Sequence, residues 1–180
     1  MQVRSCGGIS ANPTALLQEI LPDRNVKTKE MRQKKIMGYE KGERQMRTRR
    51  LGKTGLMVSE IGFGGEWLER HPEEESIELI KYASKKGINI LDCWMADPKS
   101  RNIIGEGIKE NRSQWFIQGH IGSTWKDNQY FRTRDMKYVR PAFEDLLKRL
   151  QTDYIDLGMI HYVDFEEEWE NILHSDYLDY

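Results

Sequence analysis

Asp92, His120 and His161 are the residues of this sequence whose types and positions could do chemistry. Asp92, His120 and His161 each stand where a short apolar run finishes, as does the step Gly64-Gly65-Glu66, so polar groups far apart in sequence recur at equivalent points. The chemistry such side chains support is proton transfer. Histidine, with a reference pKa of about 6.5, exchanges a proton near neutral pH, and a neighbouring carboxylate favours its charged form. An aspartic acid starting from about 3.9 needs a rise of roughly three units, around 4 kcal/mol, before it can serve as an acid at neutral pH. That arithmetic favours His120 over Asp97, which is followed by Pro98 and Lys99 in a stretch that reads as a solvated turn. His161 with Asp164 suggests a metal only faintly, and Cys6 and Cys93 lack the paired spacing of a zinc site or a disulfide framework, so no metal is expected.

These residues need elements to hold them. Residues 49–59, with turn glycines at Gly52 and Gly55, read as a short β-hairpin, and 61–65 as a strand running into a glycine-rich loop. Residues 73–86 carry a helical stripe through Ile77, Ile80 and Tyr82-Ala83, closed by Gly87. A strand over 88–92, a helix over 102–111, a strand over 115–119, a helix over 135–150, a strand over 154–163 and a further helix from Phe165 complete the pattern. Strands alternating with helices predict a parallel α/β architecture, and runs without clean alternation suit strands covered on both faces. Periodicity leaves a closed barrel and an open doubly wound sheet equally open. The strand-end residues separate them, because in a (β/α)8 barrel the C-terminal strand ends form the active face. Gly105-Glu106-Gly107 falls within a helix and lacks the strand and third glycine of a dinucleotide fingerprint. Trp94, Trp115 and Trp125 could line a pocket mouth, with the core as the default for Trp115.

The stretches 50–65 (RLGKTGLMVSEIGFGG), 87–92 (GINILD) and 153–161 (DYIDLGMIH) occur in the order and at the separations seen in the aldo-keto reductases, and together the chain from Arg49 to about Tyr180 resembles the N-terminal half of that family. The resemblance implies a (β/α)8 TIM barrel, here its N-terminal half, with a hairpin plugging the barrel floor and about four β/α units. It also implies hydride transfer between NADPH or NADH and a small carbonyl or alcohol. In the family a tyrosine, its pKa lowered by a lysine paired with an aspartate, protonates the carbonyl oxygen, while a histidine orients it. By position Asp92 matches the aspartate and His161 the histidine, but Asp97 stands where the tyrosine belongs and His120 where the lysine belongs. Half of the usual tetrad is therefore replaced. The expectation is that Asp92 and His120 form a pair in which His120 donates the proton, with His161 positioning the substrate. The loop at Gly64 and Gly65 runs under the nicotinamide ribose in the family, so these glycines, with Asp92, are the expected cofactor contacts.

A complete barrel of this kind needs around 250 residues, so the chain of 180 reads as an incomplete fragment with an incomplete cofactor site. Its four strands would leave open edges through which it could self-associate. The step 119–122 (GHIG) resembles relatives lacking the usual tyrosine and lysine that continue into an iron–sulfur, ferredoxin-like segment, and such a cluster is expected only in a longer parent. The alternative is a non-catalytic, regulatory or degenerate protein on the same barrel.

Composition limits the remaining choices. A mean hydropathy of −0.76 and no apolar run near the ~18 residues of a membrane span argue for a cytoplasmic protein with no membrane partner. The net charge of −1 conceals a basic leader: residues 1–46 hold 9 Lys and Arg against 5 Asp and Glu. Without interleaved aromatics it reads as a disordered extension and gives no nucleic-acid partner. It holds one amphipathic stretch, 15–21, and Met31, Met37 and Met46 as alternative starts. The domain boundary is expected near Met46, with the partial barrel over 47–180.

Overall fold

The structure, a computed structural model, describes residues 45–180. The basic leader, its amphipathic stretch and the alternative starts at Met31 and Met37 lie outside the described residues.

A hairpin of β1 (Thr48–Arg50) and β2 (Met57–Ser59) opens the described chain, pairing antiparallel with Thr48 opposite Ser59. Asn89 fastens it to the sheet: its side chain accepts from Ser59 N at 2.7 Å and donates to Met57 O at 3.0 Å. Because Asn89 immediately precedes a strand, the hairpin sits at the end where the strands begin, opposite the polar residues at their other end.

The sheet itself has four strands: β3 (Phe63–Gly64), β4 (Ile90–Cys93), β5 (Phe116–Ile121) and β8 (Leu157–Ile160), all parallel and in that spatial order. Helices α1 (Glu73–Lys85), α2 (Pro98–Ile108), α3 (Met136–Leu150) and α4 (Glu166–Leu173) follow them in alternation. Consecutive parallel neighbours joined through helices are the arrangement with which a (β/α)8 barrel begins.

Side chains alternate across a strand, so each strand has a helix side and an inner side. Leu91, Ile117 and Cys93 point to the helices and pack with Ile80, Ile103, Ile104, Ile108, Trp115, Leu146 and Leu150 in one buried core. Arg101 of α2 is buried in the same layer at 2% exposure, donating to Ala142 O at 3.0 Å and Asp145 Oδ2 at 3.2 Å. That pairing ties α2 to α3, and burial draws the guanidinium below its ordinary pKa.

The two largest departures from the expected boundaries have local causes. The helix expected over 102–111 begins earlier, at Pro98, because Asp97 accepts a hydrogen bond from Ser100 N at 2.9 Å and proline suits the first helical position. The strand expected over 154–163 pairs only over Leu157–Ile160. It begins after Asp156, whose carboxylate is occupied by Ile117 N at 2.8 Å and Arg112 at 3.0 Å, and it is followed by Tyr162 at φ 49. A second hairpin that the sequence pattern does not predict, β6 (Ser123–Lys126) and β7 (Gln129–Arg132), lies between β5 and α3. Its turn is Asp127-Asn128, both left-handed at φ 50 and 59, the conformation of a two-residue hairpin turn. Gly122 (φ 94) turns the chain from β5 into this hairpin, where a Cβ would stand 2.7 Å from Tyr177 Oη and 2.9 Å from Thr133 O.

Candidate active site

The register aligns the inner face. Gly64 lies opposite Asp92, Asp92 opposite Gln118, and His120 opposite Met159. Asp92, Gln118 and His120 therefore point to the same side, and their polar atoms meet. His120 Nε2 is 2.9 Å from Asp92 Oδ1, and Gln118 Nε2 donates to the same oxygen at 2.7 Å. His120 Nδ1 in turn lies 2.8 Å from His161 Nδ1. On the far side of His161, Nε2 is 2.6 Å from the hydroxyl of Tyr130, carried on β7.

Four side chains thus form one continuous row, Asp92–His120–His161–Tyr130. Donor and acceptor rules give it a direction. A carboxylate can only accept, so His120 Nε2–H donates to Asp92. With His120 neutral, its Nδ1 accepts from His161 Nδ1–H, and His161 Nε2 accepts from the Tyr130 hydroxyl. Both ring nitrogens of each histidine are thereby engaged by their neighbours in the row.

The surroundings keep His161 neutral. It is 2% exposed, and burial, the nearby His120 and the Arg134 and Arg132 guanidinium groups push its pKa from 6.5 down to about 4, against an opposing pull from Asp92. Trp94 stacks on the His161 ring at 5.6 Å and 12°, and meets the Tyr130 ring edge-on at 5.6 Å. Arg134 donates to His161 O at 2.6 Å and pairs with Glu168 at 3.0 Å, holding the backbone that carries the ring. The hairpin is anchored by Ser123 Oγ donating to Trp94 O at 2.6 Å and by the Arg132–Asp164 pair at 2.6 Å. Tyr130, 37% exposed, forms the outer end of the row.

Gly64 bears on whether a flat cofactor fits here. A Cβ at this position would meet nothing within 4 Å, on the face that Asp92 shares. That leaves room beside the carboxylate that a larger residue would fill.

A family model for the aldo/keto reductase family matches residues 60–178. The chain belongs to the aldo/keto reductase family. Among curated relatives of this aldo/keto reductase chain, the aldo-keto reductase YhdN of Bacillus subtilis is 38% identical over 120 residues, 62% of this chain and 36% of that protein. The L-galactose dehydrogenase of Arabidopsis thaliana is 29% identical over 126 residues, 65% of this chain and 38% of that enzyme. Among solved structures, a putative aldo-keto reductase from Pseudomonas aeruginosa superposes with a TM-score of 0.63 at 30% identity, covering 73% of this chain and 52% of that one. The Klebsiella pneumoniae aldo-keto reductase in complex with NADPH, at 20% identity and a TM-score of 0.53 over 71% of this chain and 45% of that one, shares the fold. The described sheet is thus part of a (β/α)8 barrel, and the chain spans little more than a third of the length of these curated relatives.

Of the residues singled out from this aldo/keto reductase sequence, Asp92, His120 and His161 come together, and Asp97 does not join them. Its carboxylate caps α2. The expectation that His120 hands its proton straight to a substrate meets an obstacle, because both of its ring nitrogens are occupied, one by Asp92 and one by His161. Gly65 is glycine for a packing reason: a Cβ there would stand 2.7 Å from both Asp92 O and Ile104 Cδ1. Among the tryptophans, Trp94 lies against the site and Trp115 is 1% exposed in the core. Asp164 is engaged by Arg132, and no group of three potential metal ligands is clustered among the described residues. The residue that sequence reasoning missed is Tyr130. The Asp127-Asn128 turn signal two residues before it was legible, but its reach to His161 was not.

Proposed function

We propose that this chain carries the proton-handling part of an NAD(P)H-dependent oxidoreductase that interconverts small carbonyl and alcohol substrates. The observation that carries the reading is the unbroken Asp92–His120–His161 contact, 2.9 and 2.8 Å at its two links, beside the open space over Gly64. When bound, a nicotinamide supplies or accepts a hydride at the carbonyl carbon. The residues of this chain handle the accompanying proton. A protonated His120 would stand as an ion pair with Asp92, a charge store inside the barrel, and neutral His161 passes protons without trapping them. Gly64 and Asp92 would lie along the nicotinamide end of the cofactor, and a cytoplasmic setting belongs to the same proposal.

A second reading has its own support. Asp97, at the position of the family's usual tyrosine, caps a helix and supplies no acid there, which favours a dinucleotide-binding protein without turnover. Titration of NADPH and of NADH into the full chain, followed through its 5 tryptophans, tests binding. Reduction of small aldehydes by the chain and by His120→Ala then separates the readings. Saturable binding with turnover lowered by about 100-fold in His120→Ala supports the enzyme; binding without turnover supports the second reading, and no binding overturns both.

A further inference from the structure

The row of hydrogen bonds ends at a hydroxyl, and that end matters. His120 has one ring nitrogen on Asp92 and one on His161; His161 has one on His120 and one on Tyr130. Neither histidine keeps a nitrogen for a substrate. Of the two ends of the row the Asp92 carboxylate can only accept, so Tyr130, 37% exposed, is the end with a proton to give, carried on a hairpin that Ser123, Arg132 and the Gly122 turn hold in place. Resting on the reductase reading above, we propose that Tyr130 is the catalytic acid that meets the carbonyl oxygen, fed with protons by His161 and His120.

One proton leaves the row for each carbonyl reduced and is regained from solvent between turnovers. In the donor-ready state His120 carries both ring protons beside the Asp92 carboxylate, His161 is protonated on Nε2, and Nε2–H donates to the Tyr130 oxygen. The Tyr130 hydrogen is then free to point at the substrate. Where a bound nicotinamide would supply hydride to the carbonyl carbon, the C=O π pair would move to oxygen and take the Tyr130 proton, giving the alcohol. Tyr130 recovers a proton from His161 Nε2, and His161 takes one at Nδ1 from His120. His120 ends neutral, still donating to Asp92, and the row points the opposite way. Alcohol oxidation runs the same steps backwards. The low pKa of His161 serves this role, since a buried relay that held its own proton would block the next transfer. Tyr130 thus does from a hairpin what Asp97 cannot do from a helix cap.

The test pairs a spectroscopic readout with a kinetic one. In the full chain labelled with nitrogen-15 histidine, above neutral pH, His161 is expected as the Nδ1–H tautomer, and its Nε2 resonance is expected to move in Tyr130→Phe. With a small aldehyde and NADPH, Tyr130→Phe is expected to lose about 100-fold or more in kcat with little change in KM. Tyr138→Phe, a tyrosine on α3 whose ring meets Phe131, serves as the control and keeps full rate. An unmoved His161 resonance, or full activity in Tyr130→Phe, overturns the proposal. So does loss confined to Tyr162→Phe, whose ring lies 4.4 Å from that of His161. If the unsubstituted chain turns over no aldehyde with either nicotinamide, the reductase reading falls, and the His161 spectra alone decide whether Tyr130 terminates the relay.

Discussion

On β4 and β5 the side chains of Leu91, Cys93 and Ile117 face the helices at 0–2% exposure, while Asp92, Gln118 and His120 occupy alternate positions on the same strands and face the other way. The first set is held by apolar packing, the second by hydrogen bonds among its own members. Stability and chemistry are thus separated by a step of one residue along the pleat. The two thiol and imidazole groups nearest the divide show what each side does to a reactive group. Cys93, enclosed among apolar side chains, has its pKa pushed up to about 12 and stays an inert thiol. His161, equally buried but set in a polar row, is kept neutral yet bonded at both nitrogens.

Substitution at matched positions should sharpen this contrast. Ile117→Ala, on the helix side, is expected to cost about 2–5 kcal/mol in urea unfolding by leaving a cavity in a close-packed core. Met159→Ala, on the inner side and 42% exposed, should change stability by no more than about 0.5 kcal/mol. Equal costs at the two positions would break the comparison.

The next largest effect concerns pH. Between 6.5 and about 4 the unfolded chain binds a proton at position 161 that the folded chain refuses, so the folded state loses ground as pH falls through that window. The contribution is complete above 6.5 and is lost progressively as the pH falls towards about 4. Unfolding midpoints measured across that range should fall more steeply for the unsubstituted chain than for His161→Gln. Parallel slopes would mean that His161 takes up its proton without resistance.

The smallest effect tests Asp97. Asp97→Ala should lose about 1 kcal/mol of stability through the lost cap, and Asp97→Ser should restore most of it. Neither should move the nitrogen-15 resonances of His120 and His161. A shift there would return Asp97 to the site.

Much of this was written locally. The apolar stripe of α1 through Ile77, Ile80 and Ala83, the glycines of the first hairpin and the run of strand ends at Asp92 and His120 follow from periods of 3.6 and 2, which neighbouring residues carry by themselves, but Tyr82, read into the same stripe, is 53% exposed. The start of α2 is ambiguous because Asp97-Pro98 reads equally as a solvated turn and as a helix start, aspartate before proline being a signal for both. The β6–β7 hairpin is not legible because its strands, STWK and QYFR, are four residues each and carry no apolar run, and Tyr130 is hidden with it.

The sequence by itself determined the parallel α/β pattern, the family, and three of the four members of the polar row. Only the tertiary structure decided how those members connect. His120 reaches Asp92 across 28 positions and His161 across 41, and Tyr130 reaches His161 across 31. Such distances are set by strand register and by the seat of a hairpin, and both come from packing among elements far apart in the chain. A local pattern can name a side chain's type and face, but the partner on which its proton depends exists only once the strands are side by side.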